Sequence, residues 1–176
     1  MLSEIKNLII KGQITKNQLV EILQKYAMKI SIADYMQYNL LLRQDAKSIH
    51  TSYNVDFIRS YTIFFLRIKN VKQDRLKYVG LVDVNKLNDA VTLLLEQERT
   101  KKFKSEKTSF WSVYMIISLY TTFIKEEPIH QVGFLFPGGL KVKMKKDIFV
   151  CPVKENNQDN FRAVCPFCIA EQDEDV

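Results

Sequence analysis

Apolar residues recur at spacings of three and four along the first three quarters of the chain, which is the spacing of one face of an α-helix. In residues 84–104, Leu87, Val91 and Leu94 fall on one such face. Polar residues that favour helix N-termini precede the apolar segments. The sequence therefore predicts helices that begin after Ser3, Thr15, Ser31, Asn54 and Asp83, the first of them ending at Gly12.

A last helix is predicted over residues 105–127, because Pro128 lacks a backbone donor and clashes with a preceding helical turn. Residues 108–124 of this helix carry no charge. They are 17 in number and include several Ser and Thr, whereas a bilayer span takes about 20 mostly apolar residues. We therefore expect a helix buried in the protein core and no membrane span.

The pattern changes after Pro128. Gly and Pro concentrate in residues 132–141, and residues 140–145 alternate between apolar side chains and lysines, as strands do. A turn at Lys146-Asp147 would lead the chain back through residues 148–150 as a hairpin. The predicted fold class is mainly α, with a helical bundle-like body (residues 1–126) and a small C-terminal β-hairpin/loop metal-binding module (residues 127–176) packed on it.

All three cysteines of the chain follow the predicted boundary, as does one of its two histidines. The spacing His130-x20-Cys151-x13-Cys165-x2-Cys168 supplies three thiols and an imidazole, the ligands that zinc prefers at tetrahedral corners. Two intervening residues let both sulfurs of a C-x-x-C pair face one ion. A metal would also cross-link a module that has few core residues of its own. The sequence therefore predicts a metal site at these four residues, with zinc as the preferred ion.

Several alternatives to a closed zinc site stay open. The C-x-x-C pair could be a redox pair, the cysteines could be small buried residues, and His130 could be an ordinary buried histidine. Water, a substrate, Asp159 or Glu171 would then be the fourth ligand, and Glu127 would be the first candidate for a general base. Prolines follow Cys151 and Cys165, as at some iron–sulfur clusters, so such a cluster is the alternative cofactor.

The charge distribution is uneven. The formal net charge of the chain is +6, but residues 154–176 hold two basic and six acidic residues, which leaves +10 for residues 1–153. A basic body suits a nucleic acid or an acidic protein partner, although lysine-rich surfaces are more often only solvated. The candidate polyanion contacts are Lys141, Lys143 and Lys145. An odd number of cysteines and an N-terminus without signal-peptide features predict a cytoplasmic protein.

The segments PIHQVGFLFPGGLKV, CPVKENNQDN and CPFCIAEQ resemble a family of uncharacterised archaeal proteins found mainly in methanogens. The resemblance covers Ile117 to Asp173 well and the helical region loosely. It implies an archaeal cytoplasmic protein and carries no assigned activity. The predicted function, which rests on the spacing of the cysteines and His130, is a structural zinc-binding protein that acts as an interaction module for a protein or nucleic acid. The alternative is a metalloenzyme or iron–sulfur redox protein with an open metal position.

Overall fold

A computed structural model describes residues 1–99, 108–161 and 163–175, and most of them up to residue 125 are helical. Two predicted helix starts are confirmed by capping boxes, in which Thr15 pairs with Gln18 and Ser31 pairs with Asp34. Asp83 also caps its helix, because its Oδ1 accepts from the backbone N–H of Lys86 at 3.1 Å. The α-helices are α1 (Leu2–Ile10), α2 (Lys16–Ala27), α3 (Ile32–Ala46), α4 (Thr51–Leu66), α5 (Ile68–Gln73), α6 (Val84–Arg99) and α7 (Thr108–Tyr120).

Two predicted helix starts are wrong. Helix α1 already includes Ser3, and α4 begins at Thr51, three residues before Asn54. The cap of α4 is the exposed His50, whose ring nitrogen accepts from the Ser52 backbone N–H at 3.3 Å. Histidine is an uncommon cap, so the usual preference for Ser, Thr, Asp and Asn pointed to the wrong residue.

Helix α7 is the buried helix that its uncharged sequence predicts, although residues 105–107 of that prediction lie outside the described part of the chain. It continues as a π-helical turn over Thr121–Lys125 and stops at Glu126, whose φ of 53° is left-handed. The wider π turn was not predicted, because it depends on the packing around residues 121–125 and has no clear sequence signal. Among the described residues, no helix has the length and apolar character needed to cross a membrane.

The predicted hairpin is present and belongs to a three-stranded sheet formed by the described residues. Strands β1 (Lys143–Lys145) and β2 (Ile148–Cys151) are antiparallel, and Lys146 and Asp147 both have positive φ in the two-residue turn between them. Strand β3 (Glu171–Gln172) runs parallel to β2 and was not predicted, since two residues carry no periodic pattern.

Burial along β1 does not follow the predicted alternation of buried apolar residues and exposed lysines. Val142 is buried, as expected, but Met144 is 58% exposed while the flanking Lys143 and Lys145 are half-buried. The lysines turn inward because both bind Asp173, whose side chain is fully enclosed. An ion pair with the chain's own C-terminal segment therefore decides which side of β1 is covered.

The C-terminal segment shares one hydrophobic core with the helices. Residues such as Ile129, Phe134 and Val164 belong to the same buried cluster as the apolar faces of α2, α6 and α7. Buried polar contacts also join the two parts: the amide of Gln97 donates to the carbonyls of Phe161 (2.6 Å) and Ala163 (2.9 Å). The sheet and loops after residue 127 are thus held directly against the helical body.

Candidate metal centre

The four residues predicted as metal ligands line one small cavity. His130 follows the π turn, Cys151 ends β2, and Cys165 begins a short 3-10 turn that Cys168 follows. The cavity has a volume of about 10 Å³, which is space for one water-sized species. Three separate segments thus bring the predicted thiols and imidazole to the wall of the same space. Its other lining residues are Pro128, Ile129, Val142, Lys154, Val164 and Ala170.

The C-x-x-C pair forms a tight turn with a backbone donor aimed at one sulfur. The Cys168 backbone N–H donates to the Cys165 carbonyl at 3.2 Å, and Pro166 lies within this 3-10 turn. The Ile129 backbone N–H donates to the Cys168 Sγ at 3.4 Å. Such N–H···S contacts stabilise a thiolate, since hydrogen bonding to a charged form favours that form. The turn therefore presents Cys168 to the cavity in an environment suited to a negatively charged sulfur.

Lys154 adds a positive charge beside the same loop. Its ammonium group lies in the cavity wall and donates to the carbonyl of Cys168 at 2.9 Å and to the carbonyl of Ala170. A cation near several thiolates offsets part of their mutual repulsion. Neither Lys154 nor the Ile129 donor was predicted, because spacing alone gives no signal for a backbone donor or a lysine that folds back onto a loop.

His130 is held among aromatic rings. Its ring centroid lies 4.4 Å from that of Phe134, 5.5 Å from Phe136 and 5.6 Å from Phe64. The Nε2 atom is buried and has no hydrogen-bond partner in the described part of the chain. Burial, with a smaller effect from the charge of Arg67, lowers the pKa of His130 to about 4. The imidazole is therefore neutral at pH 7, the form that can ligate a metal.

Burial also keeps two of the thiols protonated at neutral pH. It raises the pKa of Cys165 to about 11, with smaller contributions from the neighbouring Cys168 and Cys151. The pKa of Cys151 is raised as well, again chiefly by burial. Within residues 1–99, 108–161 and 163–175, no three His, Cys, Asp or Glu side chains are already arranged as a metal-binding group. A metal would thus have to displace protons and draw the sulfurs inward.

Arg67, between α4 and α5, fixes the segment that leads to His130. One guanidinium nitrogen donates to the Ile129 carbonyl at 2.9 Å and to the Pro128 carbonyl at 3.4 Å, and the other lies 3.0 Å from the Glu127 carboxylate. Glu127, the predicted candidate for a general base, is thus engaged by Arg67. Nothing in the sequence distinguishes Arg67 from the other arginines before the fold is known.

The remaining predicted carboxylates and lysines lie away from the cavity. Asp159 and Glu171 are exposed and are not among the cavity's lining residues. Lys143 and Lys145 bind Asp173, and their hydrogen bonds lower the pKa of this carboxyl below its ordinary value. Lys141 is exposed. Two of the three candidate polyanion contacts are therefore paired within the chain.

Comparison with known proteins gives a family and several relatives. Residues 15–173 match a family model described as an uncharacterized protein conserved in archaea (DUF2115). A UPF0305 protein of Methanothermobacter thermautotrophicus is 37% identical over 163 residues, which span 92% of this chain and 99% of that protein. A UPF0305 protein of Methanocaldococcus jannaschii is 28% identical over 160 residues, 88% of this chain and 94% of the relative. No solved structure matches. The chain therefore belongs to the DUF2115 family of archaeal proteins, and its relatives include UPF0305 proteins of methanogens.

Proposed function

We propose that the protein binds one zinc ion through His130, Cys151, Cys165 and Cys168, and that the ion has a structural role. The observation that carries the proposal is their common cavity of about 10 Å³, although up to 37 intervening residues separate them along the chain. Three sulfurs and a neutral imidazole form the donor set of closed structural zinc sites. The Ile129 N–H donates to the Cys168 sulfur, and the Lys154 ammonium holds the Cys168 carbonyl, which are supporting contacts around the proposed ligands.

A closed site fits better than an open catalytic one. A catalytic zinc keeps a position for water or substrate and a nearby base. Here the nearest predicted base, Glu127, is paired with Arg67 at 3.0 Å, and the cavity has room for only one water-sized species. The proposed ion would therefore stabilise the C-terminal segment and leave its outer surface to interact with a partner.

The exposed surface of this segment favours a protein partner over a nucleic acid. Several large apolar side chains between residues 132 and 169 are exposed, whereas Lys143 and Lys145 are bound to Asp173. Exposed apolar side chains are typical of protein interfaces, while nucleic-acid contacts depend on accessible cations. The exposed apolar residues are Val132, Met144, Ile148, Phe161 and Ile169.

The test is metal content measured by mass spectrometry, with an absorption spectrum, on protein purified without air. The chain has two histidines, so His130→Asn can be compared with His50→Asn, which retains a capping group for α4. We expect one zinc per chain in the wild type and in His50→Asn, and less or weakly held zinc in His130→Asn. Circular dichroism would check that both variants fold.

Other outcomes favour other functions. Zinc fully retained in His130→Asn would mean an open fourth position and would favour the metalloenzyme alternative. Iron with acid-labile sulfide would favour a redox protein. Protein without metal, which also fails to take up added zinc under reducing conditions, would contradict the proposal. The protein can also be tested on heparin and RNA, with Lys141, Lys143 and Lys145 changed to Glu. Binding that the wild type shows and this variant loses would favour a nucleic-acid partner over a protein partner.

A further inference from the structure

A second and larger cavity lies on the other side of the C-x-x-C loop. This cleft has a volume of about 650 Å³, within the range of small-molecule sites. One wall is the loop itself, including Phe167, Cys168 and Ile169, and the opposite wall comes from the π turn and the start of α6. Cys168 lines both the cleft and the proposed metal cavity. The remaining residues that line the cleft are Lys16, Leu81, Val82, Asp83, Lys86, Asp89, Thr122, Phe123, Glu126 and Pro166.

The floor of the cleft is mainly apolar and contains a polar group that has no partner. Phe123 lies close to Phe167, with nearly parallel rings whose centroids are 6.4 Å apart. Thr122 beside it is 7% exposed, and its Oγ1 has no hydrogen-bond partner in the described part of the chain. The neighbouring Thr121 hydroxyl, in contrast, donates to the Ser118 carbonyl. An unpaired buried hydroxyl is costly, and such groups together with π turns are frequent at functional sites.

The rim of the cleft carries an unbalanced negative charge. Lys16 is paired with Glu126 at 2.6 Å, and Lys86 lies 3.9 Å from Asp83. Asp89 is exposed and forms no ion pair with the described residues. On a chain whose net charge is +6, the cleft thus has more carboxylates than cations at its edge. This arrangement attracts a cation and repels an anion.

We propose that this cleft binds a small organic cation, an ammonium group carried on an apolar body. The ammonium group pairs with Asp89 at the rim, and the apolar body packs against Phe123, Phe167 and Ile169. Only the loop wall of this site adjoins the metal centre, and the π turn and the start of α6 form the rest. It shares Cys168 with the metal centre but differs from it in all its other lining residues and in its ligand chemistry.

The experiment uses three probes of similar size and different charge: 2-phenylethylammonium, 2-phenylethanol and 3-phenylpropionate. Each is titrated into the full ¹⁵N-labelled chain while backbone amide shifts are followed by NMR. We expect the cation to shift the amides of residues 122–126 and 167–169 in a saturable way. We expect the alcohol to bind at least threefold more weakly, and the anion to bind more weakly still.

A matched pair of variants tests the charge assignment. Asp89→Asn removes the rim carboxylate, while Glu96→Gln removes an exposed acid two turns further along α6, about 10 Å away. The cation should bind at least threefold more weakly to Asp89→Asn and equally well to Glu96→Gln. No saturable shift at these amides, tighter binding of the anion or alcohol, or equal loss in both variants would overturn the proposal. The wild type and both variants are compared in the same metal state, so the comparison does not require that zinc is found.

Discussion

Arg67 is the side chain that ties the helical body to the segment carrying His130. Its guanidinium group is largely enclosed and spans the carbonyls of Pro128 and Ile129 and the carboxylate of Glu127. A lysine ammonium is a point donor and lacks the planar fork that reaches three acceptors at once. In Arg67→Lys at least one carbonyl would therefore lose its partner.

We expect Arg67→Lys to lower the free energy of unfolding by about 2–3 kcal/mol, the usual cost of losing charged hydrogen bonds in a buried site. Urea denaturation followed by circular dichroism measures this change. Arg59→Lys, at an exposed position of α4, is the matched control and should stay within about 0.5 kcal/mol of the wild type. Equal effects of the two substitutions would show that the Arg67 contacts contribute little.

The protonation of the thiols would make the affinity for the proposed zinc ion depend on pH. The pKa of Cys165 is raised to about 11 and that of Cys151 is raised by burial, so both are thiols at neutral pH. Zinc binds the thiolate, and each displaced proton makes the apparent affinity about tenfold stronger per pH unit. The pKa of His130 is lowered to about 4, so this residue is already deprotonated above pH 6 and adds nothing to the slope.

The apparent association constant for zinc should therefore rise at least about 100-fold per pH unit between pH 6 and 8, because at least two thiols release protons. Competition with a chelator calibrated at each pH measures the slope. Calcium, which prefers oxygen ligands, should show no comparable pH dependence and serves as the control ion. A slope of tenfold or less would mean that Cys151 and Cys165 do not both ligate the ion.

Among the secondary-structure elements, the sequence predicted correctly those helix starts and turns that are determined by residues close together in the chain. Thr15 and Ser31 cap their helices through residues three positions away, and Lys146-Asp147 forms a turn between adjacent strands. Tertiary packing determines the elements that were missed. Strand β3 exists because residues 171–172 pair with the end of β2, and the π turn over Thr121–Lys125 depends on the packing around it.

In the candidate metal centre, too, some residues could be selected from the sequence and others only from the folded chain. The spacing of the cysteines and His130 was enough to select four residues that share a cavity, because few chemical roles combine three thiols with an imidazole in one short segment. The groups around them could not be selected in this way. Ile129 contributes a backbone N–H, and Lys154 reaches the loop from 14 residues before Cys168. Only the folded chain brings the Ile129 N–H to the Cys168 sulfur and the Lys154 ammonium to the carbonyls of the loop.

For the whole molecule, the shared core means that the proposed zinc ion, once bound, should stabilise the entire protein. Ile129, Phe134 and Val164 pack in the same core as the helices, so the described residues of the C-terminal segment belong to one core with the helical body. A ligand that binds only the folded state adds to the stability of every part that unfolds with its site. Removal of zinc should therefore lower the stability of helices far from the cysteines.

The chain contains two natural probes for this prediction. Trp111 is its single tryptophan and lies in α7, while its three cysteines all lie in the C-terminal segment. After zinc is removed with a chelator, unfolding in urea should occur at a lower concentration, and Trp111 fluorescence and pulsed cysteine labelling should change together. Protein with excess zinc is the control. If the cysteines became reactive well before Trp111 fluorescence changed, the C-terminal segment would unfold independently, and the metal would stabilise that segment alone.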